Sequence, residues 1–437
     1  MSEKAHLKKK KIKLKRSQKL TKFGQKIYLC CSNFQNNTLW ESACSCSFGF
    51  IFSLVPLILI ILTILVGIIR VSPGIINYFL SFASSIESVI DINPVINNIL
   101  NSKNFHFVDI FLAVWILWMA RKLGLSVTLA MTRIFKAALK RKNIFNQLFA
   151  FLTEFLIIVV ITSVIIISFS INQLASSDVF EPIREYLPDI VNQNSHIIIS
   201  LVMYAIFFIC TFFIYRVTSG TKPPVSLCFF YAILSTTGFF VISFLINKFM
   251  NLTNYNIVYG TISTIVILMM RIYFFFLFFL FNAQMIYVSQ FFDTLLLSEI
   301  YLLPSQETKG WLSSFQRMMF INPAALRTTD NTKSYNASDI IFHKGDKADY
   351  VYYLYKGEMT EETEQGIIHH EKGDFIGEVS CITNQTYTGD GVAVTACKFI
   401  VFSQKEFQEL MQKSPKAAAK AISKISEATA SLYDENK

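Results

Sequence analysis

Charge is scarce in this 437-residue chain: Asp, Glu, Lys and Arg make up 16% of it, where a soluble protein usually carries about 25%. Hydrophobic residues reach 53%, and 42 residues are Phe. A wholly water-soluble fold is excluded, and an integral membrane protein is implied. Chemistry-bearing patterns are equally thin. The eight Cys make no CxxC pair and no His accompanies them, so reduced structural thiols are the default and no zinc ligand set exists. No P-loop, dinucleotide fingerprint or nucleophile elbow occurs, which removes ATP-driven work by this chain alone. The reading is of a protein that is not an enzyme, with no catalytic residue and no metal.

Positive charge is concentrated in one place. Met1 to Lys26 holds eleven Lys or Arg and one Glu, which accounts for the whole formal net charge of +10. No short apolar segment with a cleavage site follows, so this is not a secretory leader. The tail lacks the interleaved aromatics that stack bases. It therefore points to membrane lipids, through anionic headgroups, and to topology, with no nucleic acid partner.

The longest apolar stretch runs from Asn254 to Phe292 and carries one charge, Arg271. From Ile257 a helix of that length would reach about 50 Å, against about 30 Å for a bilayer core, so one end projects into water. Arg271 falls about 21 Å along it. A central Arg costs about 2.5–3.5 kcal/mol on insertion scales, so it snorkels, pairs with a neighbouring helix or lines a substrate path. Upstream, Phe48 to Ile69 reads as a first span kinked at Pro56, with Ser53 placed to bond the freed backbone. Phe107 to Met131 is interrupted by Arg121 and Lys122 and either crosses tilted or lies as two interfacial pieces. Leu148 to Ile171, with Glu154 near its start, Ile197 to Tyr215 and Val225 to Ile246 complete the set. The tail, 133–143 and 216–224 are basic, whereas 71–105, 172–195 and 247–256 are not. Six spans with both termini cytoplasmic satisfy the positive-inside rule at every loop.

After a linker, 294–337, in which Trp311 to Phe320 forms an amphipathic helix, the texture changes. Short alternating apolar runs broken by Gly predict strands, and Gln404 to Met411 and Pro415 to Leu432 predict helices. The organisation is a basic tail (1–40), a six-helix transmembrane bundle (41–293), the linker, and a cytoplasmic β-roll with flanking helices (338–437). The fold class is thus membrane all-α followed by a small β domain.

Three stretches resemble the YihY/BrkB family of inner-membrane proteins, once labelled ribonuclease BN-like: FGFIFSLVPLILII, VWILWMARKLGLSVTLAMTRIFKAALKRKN, and the run from YRVTSGTKPP to FFLFFLFNAQ. The resemblance covers about residues 40–293. The sequence has Arg271 where that family usually has Trp, and Asn282-Ala283-Gln284 where Gly-Ala-Glu is common. Residues 338–415 resemble a cyclic nucleotide-binding domain, with Gly345, Gly357, Gly373 and Gly377 at the spacing of its structural glycines. In GDFIGEVSCI, Gly377, Glu378 and Ser380 match the phosphate-binding cassette, in which the Glu takes a ribose hydroxyl and a later Arg pairs with the phosphate. Tyr387 stands where the Arg would be. A charge-assisted contact of about 1.5–3 kcal/mol is exchanged for a neutral one of about 1. The resemblance implies a cyclic nucleotide ligand; the exchange implies weak or no affinity for it, hence no cofactor.

Three functions follow. One is a transporter or lipid-linked substrate translocase of the bacterial inner membrane, with Arg121, Glu154 and Arg271 in its polar interior and a regulatory C-terminal domain. The second is a non-transporting scaffold whose residues 338–437 dock a cytoplasmic protein partner. A membrane-tethered ribonuclease ranks last, because the chain lacks clustered metal-binding carboxylates or His. The wealth of Phe, Ile, Asn and Lys suggests an AT-rich, bacterial genome.

Overall fold

The apolar runs wind into helices and the alternating ones into strands in the computed structural model, which describes residues 20–63, 122–135, 195–249, 261–303, 310–323, 326, 331–364 and 366–434. The chain divides into two units, Cys30–Gln290 and Met1–Leu29 with Phe291–Lys437. Arg121 and Glu154, the span Leu148 to Ile171, residues 71–105, 172–194 and 250–256, and the Lys-rich residues 1–19 lie outside the described residues.

The Cys30–Gln290 unit is helical. It contains the end of α1 (20–36), then α2 (Leu39–Thr63), α3 (122–135), α4 (Ser195–Thr218), α5 (Val225–Phe249) and α6 (Thr261–Gln290). Among the described residues two helical segments are long and apolar enough to cross a membrane, Val225–Ile246 and Val266–Gln290. Close approach of α5 and α6 depends on Gly238, where a Cβ would meet the Phe278 ring at 2.1 Å. Beside it the Tyr215 ring stacks on Phe279 with centroids 4.9 Å apart. The Tyr215 hydroxyl lies 2.6 Å from Ser235 Oγ and donates to the Phe279 carbonyl at 2.9 Å. A buried phenol is satisfied there without water, as an apolar surrounding requires.

Two local expectations are corrected. The first apolar helix starts at Leu39, nine residues ahead of Phe48, because LWESACSCS is helix-compatible although too polar to read as span. Pro56 sits inside that helix, and Ser53 Oγ bonds the Phe50 carbonyl at 3.0 Å, not that of Phe52, which Pro56 leaves without its i+4 donor. A Ser side chain in a helix reaches back to its own preceding turn, so the freed carbonyl one residue behind it is out of range.

In the other unit the stretch 294–337 is more structured than a linker. α7 (Phe292–Tyr301), α8 (Trp311–Phe320) and β1 (Thr332–Tyr335) occupy half of it. Gln25 Nε2 of α1 donates to the Met319 carbonyl at 2.9 Å, and the Tyr28 ring meets Phe320 edge-on at 5.1 Å. The remaining elements are β2 (Ile340–Phe342), β3 (Tyr350–Lys356), β4 (Met359–Thr363), β5 (Gly366–His370), β6 (Phe375–Ile376), α9 (Glu378–Thr383), β7 (Gly389–Ala393), β8 (Cys397–Ser403), α10 (Gln404–Lys413) and α11 (Pro415–Asp434). Two four-stranded antiparallel sheets, β1-β8-β3-β6 and β2-β7-β4-β5, form the roll. Successive strand side chains point to opposite faces, and β3 is buried on both. Tyr352 joins Phe342, Tyr387 and Phe399, while Tyr353 joins Phe375, which also packs on Tyr301 of α7 and Phe407 of α10. The second helix pair starts on clear caps. Ser403 Oγ accepts from Glu406 N while Glu406 Oε2 accepts from Ser403 N at 2.8 Å, and Pro415 opens α11.

Candidate functional site

The sequence-singled residues of the C-terminal domain come together around one turn. β6 delivers the chain to Gly377, whose φ of +74° only Gly adopts without strain. A Cβ there would stand 2.6 Å from Cε1 of Tyr387. Glu378 then starts α9, six residues long, which ends at Asn384 with φ of +58° and its N–H on the Ser380 carbonyl. Gln404 Nε2 closes the far end by donating to the Cys381 carbonyl at 2.8 Å. Gly377, Glu378 and Ser380 lie on one turn and the short helix after it, and the Tyr387 ring packs against that turn.

Tyr387 fills that site. Its ring stacks on Phe342 with centroids 4.2 Å apart, and its hydroxyl donates to the Tyr350 carbonyl at 2.8 Å. It is buried, and loss of water followed by the neighbouring Tyr352 phenol pushes its own phenol above the usual range. Tyr352 is pushed up to about 12, chiefly by burial. These groups stay neutral at physiological pH. The position that would hold a cationic phosphate anchor is packed with aromatic carbon, and its one polar atom is already spent on backbone.

Glu378 is also engaged from within. Its Oε1 pairs with Lys424 Nζ of α11, with 7% of the Glu378 side chain and 39% of the Lys424 side chain exposed. The other carboxylate oxygen, Oε2, is buried, as is the hydroxyl of Tyr301, and neither makes a hydrogen bond of normal geometry. They are nonetheless close enough that burial first, and then the Glu378 charge, raise the Tyr301 phenol. Lys420, one turn before Lys424, donates to the Tyr301 carbonyl at 2.7 Å and lies 5.0 Å from its ring centre. α11 thus lies over the cassette and supplies the cation that its carboxylate needs. Ser380 is buried in α9. Asp390, next to Gly389, accepts from Lys344 N at 3.0 Å and faces His343 Nδ1 at 3.2 Å; the Lys344 amide is the main cause of its lowered pKa.

Lys424, Tyr301 and Phe342 were not foreseen. Lys424 stands 46 residues from its partner, and no local pattern marks it among the other Lys of an Ala-rich helix. His370 Nε2 faces Glu361 of the neighbouring strand at 3.2 Å. Alternation sends His369 to the other face.

In the helical unit, Arg271 is half-buried in α6. The Asn282-Ala283-Gln284 triplet is fully buried. Asn282 Nδ2 donates to the Phe278 carbonyl at 2.9 Å, and Gln284 Oε1 accepts from Asn37 Nδ2 at 3.4 Å while Gln284 Nε2 makes no hydrogen bond. Asn37 precedes Thr38, a β-branched residue at φ of +49°, and Arg133 reaches Ser42 Oγ at 3.1 Å and Thr38 Oγ1 at 3.5 Å. Ser42, Asn282 and Gln284 of this set are buried, whereas Thr38 and Arg133 are exposed at the α1–α2 break.

Comparison with known proteins divides the chain in the same way. The family model described as Virulence factor BrkB matches residues 30–292, and the one described as cyclic nucleotide-binding domain matches residues 332–414. The cAMP-activated global transcriptional regulators CRP of Salmonella typhimurium and Klebsiella aerogenes are each 33% identical over 88 residues, 18% of this chain and 42% of theirs. The chain thus spans about two-fifths of the length of these curated relatives. Among solved structures, Thermus thermophilus catabolite activator protein is 18% identical, covering 24% of this chain and 52% of its own, with a TM-score of 0.21. The second cyclic nucleotide domain of PKAR, bound to Sp-2Cl-cAMPS, is 18% identical over 31% and 86%, with a TM-score of 0.22.

Proposed function

This chain belongs to the Virulence factor BrkB family, and from that premise we propose that it is an inner-membrane transporter under a cytoplasmic regulatory domain whose nucleotide cassette is kept shut by the chain's own side chains. Six spans, both termini cytoplasmic and a bacterial inner-membrane location complete this reading, supported by the charge asymmetry of the loops. The observation that carries it is the double occupation of the cassette. Tyr387 takes the anion-anchor position and Lys424 takes the Glu378 carboxylate. The curated relatives are cAMP-activated; this domain instead signals through a cytoplasmic protein that it docks. Support for transport comes from polar groups buried at Asn282 and Gln284, which an apolar anchor would not need.

Calorimetric titration of cAMP, cGMP and cyclic dinucleotides into the detergent-solubilised full chain tests the reading. The wild type gives no binding heat, and Tyr387→Arg combined with Lys424→Ala gives saturable cAMP binding. Wild-type binding at micromolar ligand would replace closure with nucleotide gating. The same closure also suits a non-transporting scaffold, and proteoliposomes separate the two: Arg121→Gln and Arg271→Gln lower flux of a lipid-linked or soluble anionic substrate only if the bundle transports.

A further inference from the structure

We propose that α1 and α8 together form a docking surface for the face of an acidic lipid bilayer. The two helices are fastened to each other through Gln25, Tyr28, Met319 and Phe320, yet each leaves a stripe of large apolar side chains in the open. On α1 these are Leu20, Phe23 and Ile27, and on α8 Trp311, Phe315 and Met318; Trp311 is 82% exposed, Met318 73% and Leu20 65%. The spacings, i to i+3 and i+7 on one helix and i to i+4 and i+7 on the other, place each set along a single helical face. Exposed apolar residues scattered singly are ordinary; six of them in two helical stripes need a cover.

Charge selects that cover. Lys22 and Lys26 project from α1 with their ammonium groups 5.1 and 5.4 Å from the Phe292 ring centre, and Arg317 lies on α8. Residues 1–19 add nine Lys or Arg and one Glu. A second copy of this chain would bring the same excess of cations and be repelled. An acidic peptide would match the charge but not the Trp, Phe and Leu stripe. An apolar helical face beside a cationic border, which sinks about 5–10 Å into the interface, suits the headgroup boundary of an anionic leaflet. Trp311, the most exposed of the six, has the amphipathic ring favoured at that depth. Phe292 follows the apolar segment that ends at Gln290 by two residues, so the bilayer is present at high effective concentration. The inference stands whether or not the helical unit transports.

The test uses the full chain in lipid nanodiscs with Trp311 as the sole Trp, after Trp40→Phe, Trp115→Phe and Trp118→Phe. In discs containing phosphatidylglycerol, brominated lipid chains quench Trp311 and acrylamide does not reach it; in phosphatidylcholine discs quenching falls. Each cation near an anionic surface raises partitioning about fivefold, so Lys22→Gln with Lys26→Gln lowers the docking equilibrium constant about 25-fold. Trp311 open to acrylamide in both discs overturns the proposal. So does protection that bromolipid does not sense and that rises with protein concentration, the mark of a second copy. The lipid comparison needs no stripe variant, so misfolding of such a variant cannot obscure the answer.

Discussion

Replacing Lys424 by Met removes the cation that is paired directly with a carboxylate whose side chain is 7% exposed. An exposed pair contributes about 0–1 kcal/mol, while breaking a fully buried one costs about 3–5. Lys424 itself is 39% exposed, so water can partly replace it, and the expected loss is about 2 kcal/mol. The cost falls on the opening of α9 and α11, because the pair ties these two helices. Hydrogen exchange of the full chain, read by mass spectrometry, converts 2 kcal/mol into roughly 30-fold faster exchange of α9 amides. Glu378→Gln, which keeps an acceptor without its charge, costs about 1 kcal/mol. In the Glu378→Gln, Lys424→Met double variant no unpaired carboxylate is left, so the two losses do not add, and the coupling is about 1–2 kcal/mol. If Lys424→Met leaves α9 exchange unchanged, or if the two losses add, the pair does not hold the cassette and the closure argument fails.

Gly377→Ala combines a left-handed backbone cost of about 1–2 kcal/mol with a Cβ 2.6 Å from Tyr387; Tyr387→Ser in the same chain relieves the clash and leaves the backbone part, as thermal unfolding of the C-terminal domain will show. Burial raises the Glu299 carboxyl above its ordinary 4.5, against the opposing hydrogen bond from Gln316 at 2.7 Å. Its folded pKa is then above its unfolded one, so stability declines as pH rises from about 4.5 through the raised value and is flat beyond; Glu299→Gln removes that part of a pH–stability profile. Tyr215→Phe leaves Ser235 and the Phe279 carbonyl without their shared phenol and costs about 1 kcal/mol in unfolding from micelles, within the range for hydrogen bonds in membrane proteins.

What could be read from the residues was what acts locally. The Pro223-Pro224 pair announces the start of α5 at Val225, and Ser403 with Glu406 announces α10. The short apolar runs of β3 and β8, broken by Gly, give the roll. Elements without such marks were missed. β1, TKSY, is an edge strand that buries little and so carries no apolar period. The break at Phe291 falls within two residues of the boundary at 293 read from the sequence, in SQFFDTLLL, where polar residues mark the change but neither Gly nor Pro fixes its position. Within the cassette, the three matched positions, Gly377, Glu378 and Ser380, lie together because their spacing is that of one turn and a short helix. What occupies the site did not show, since Lys424 and Tyr301 come from helices far along the chain and only the folded roll brings them to Glu378.

That separation sets a timetable. At about 5–20 residues per second of synthesis, the 46 residues from Glu378 to Lys424 take roughly 2–9 s to make. By its end every strand up to β8 is complete, and throughout it the carboxylate exists before its counter-ion. The nascent roll must either hold an uncompensated acid beside Tyr301 or stay loose until α11 is made. A ribosome that stalls before Lys424 therefore leaves behind a sheet that is fully translated but about 2 kcal/mol short of the finished cassette.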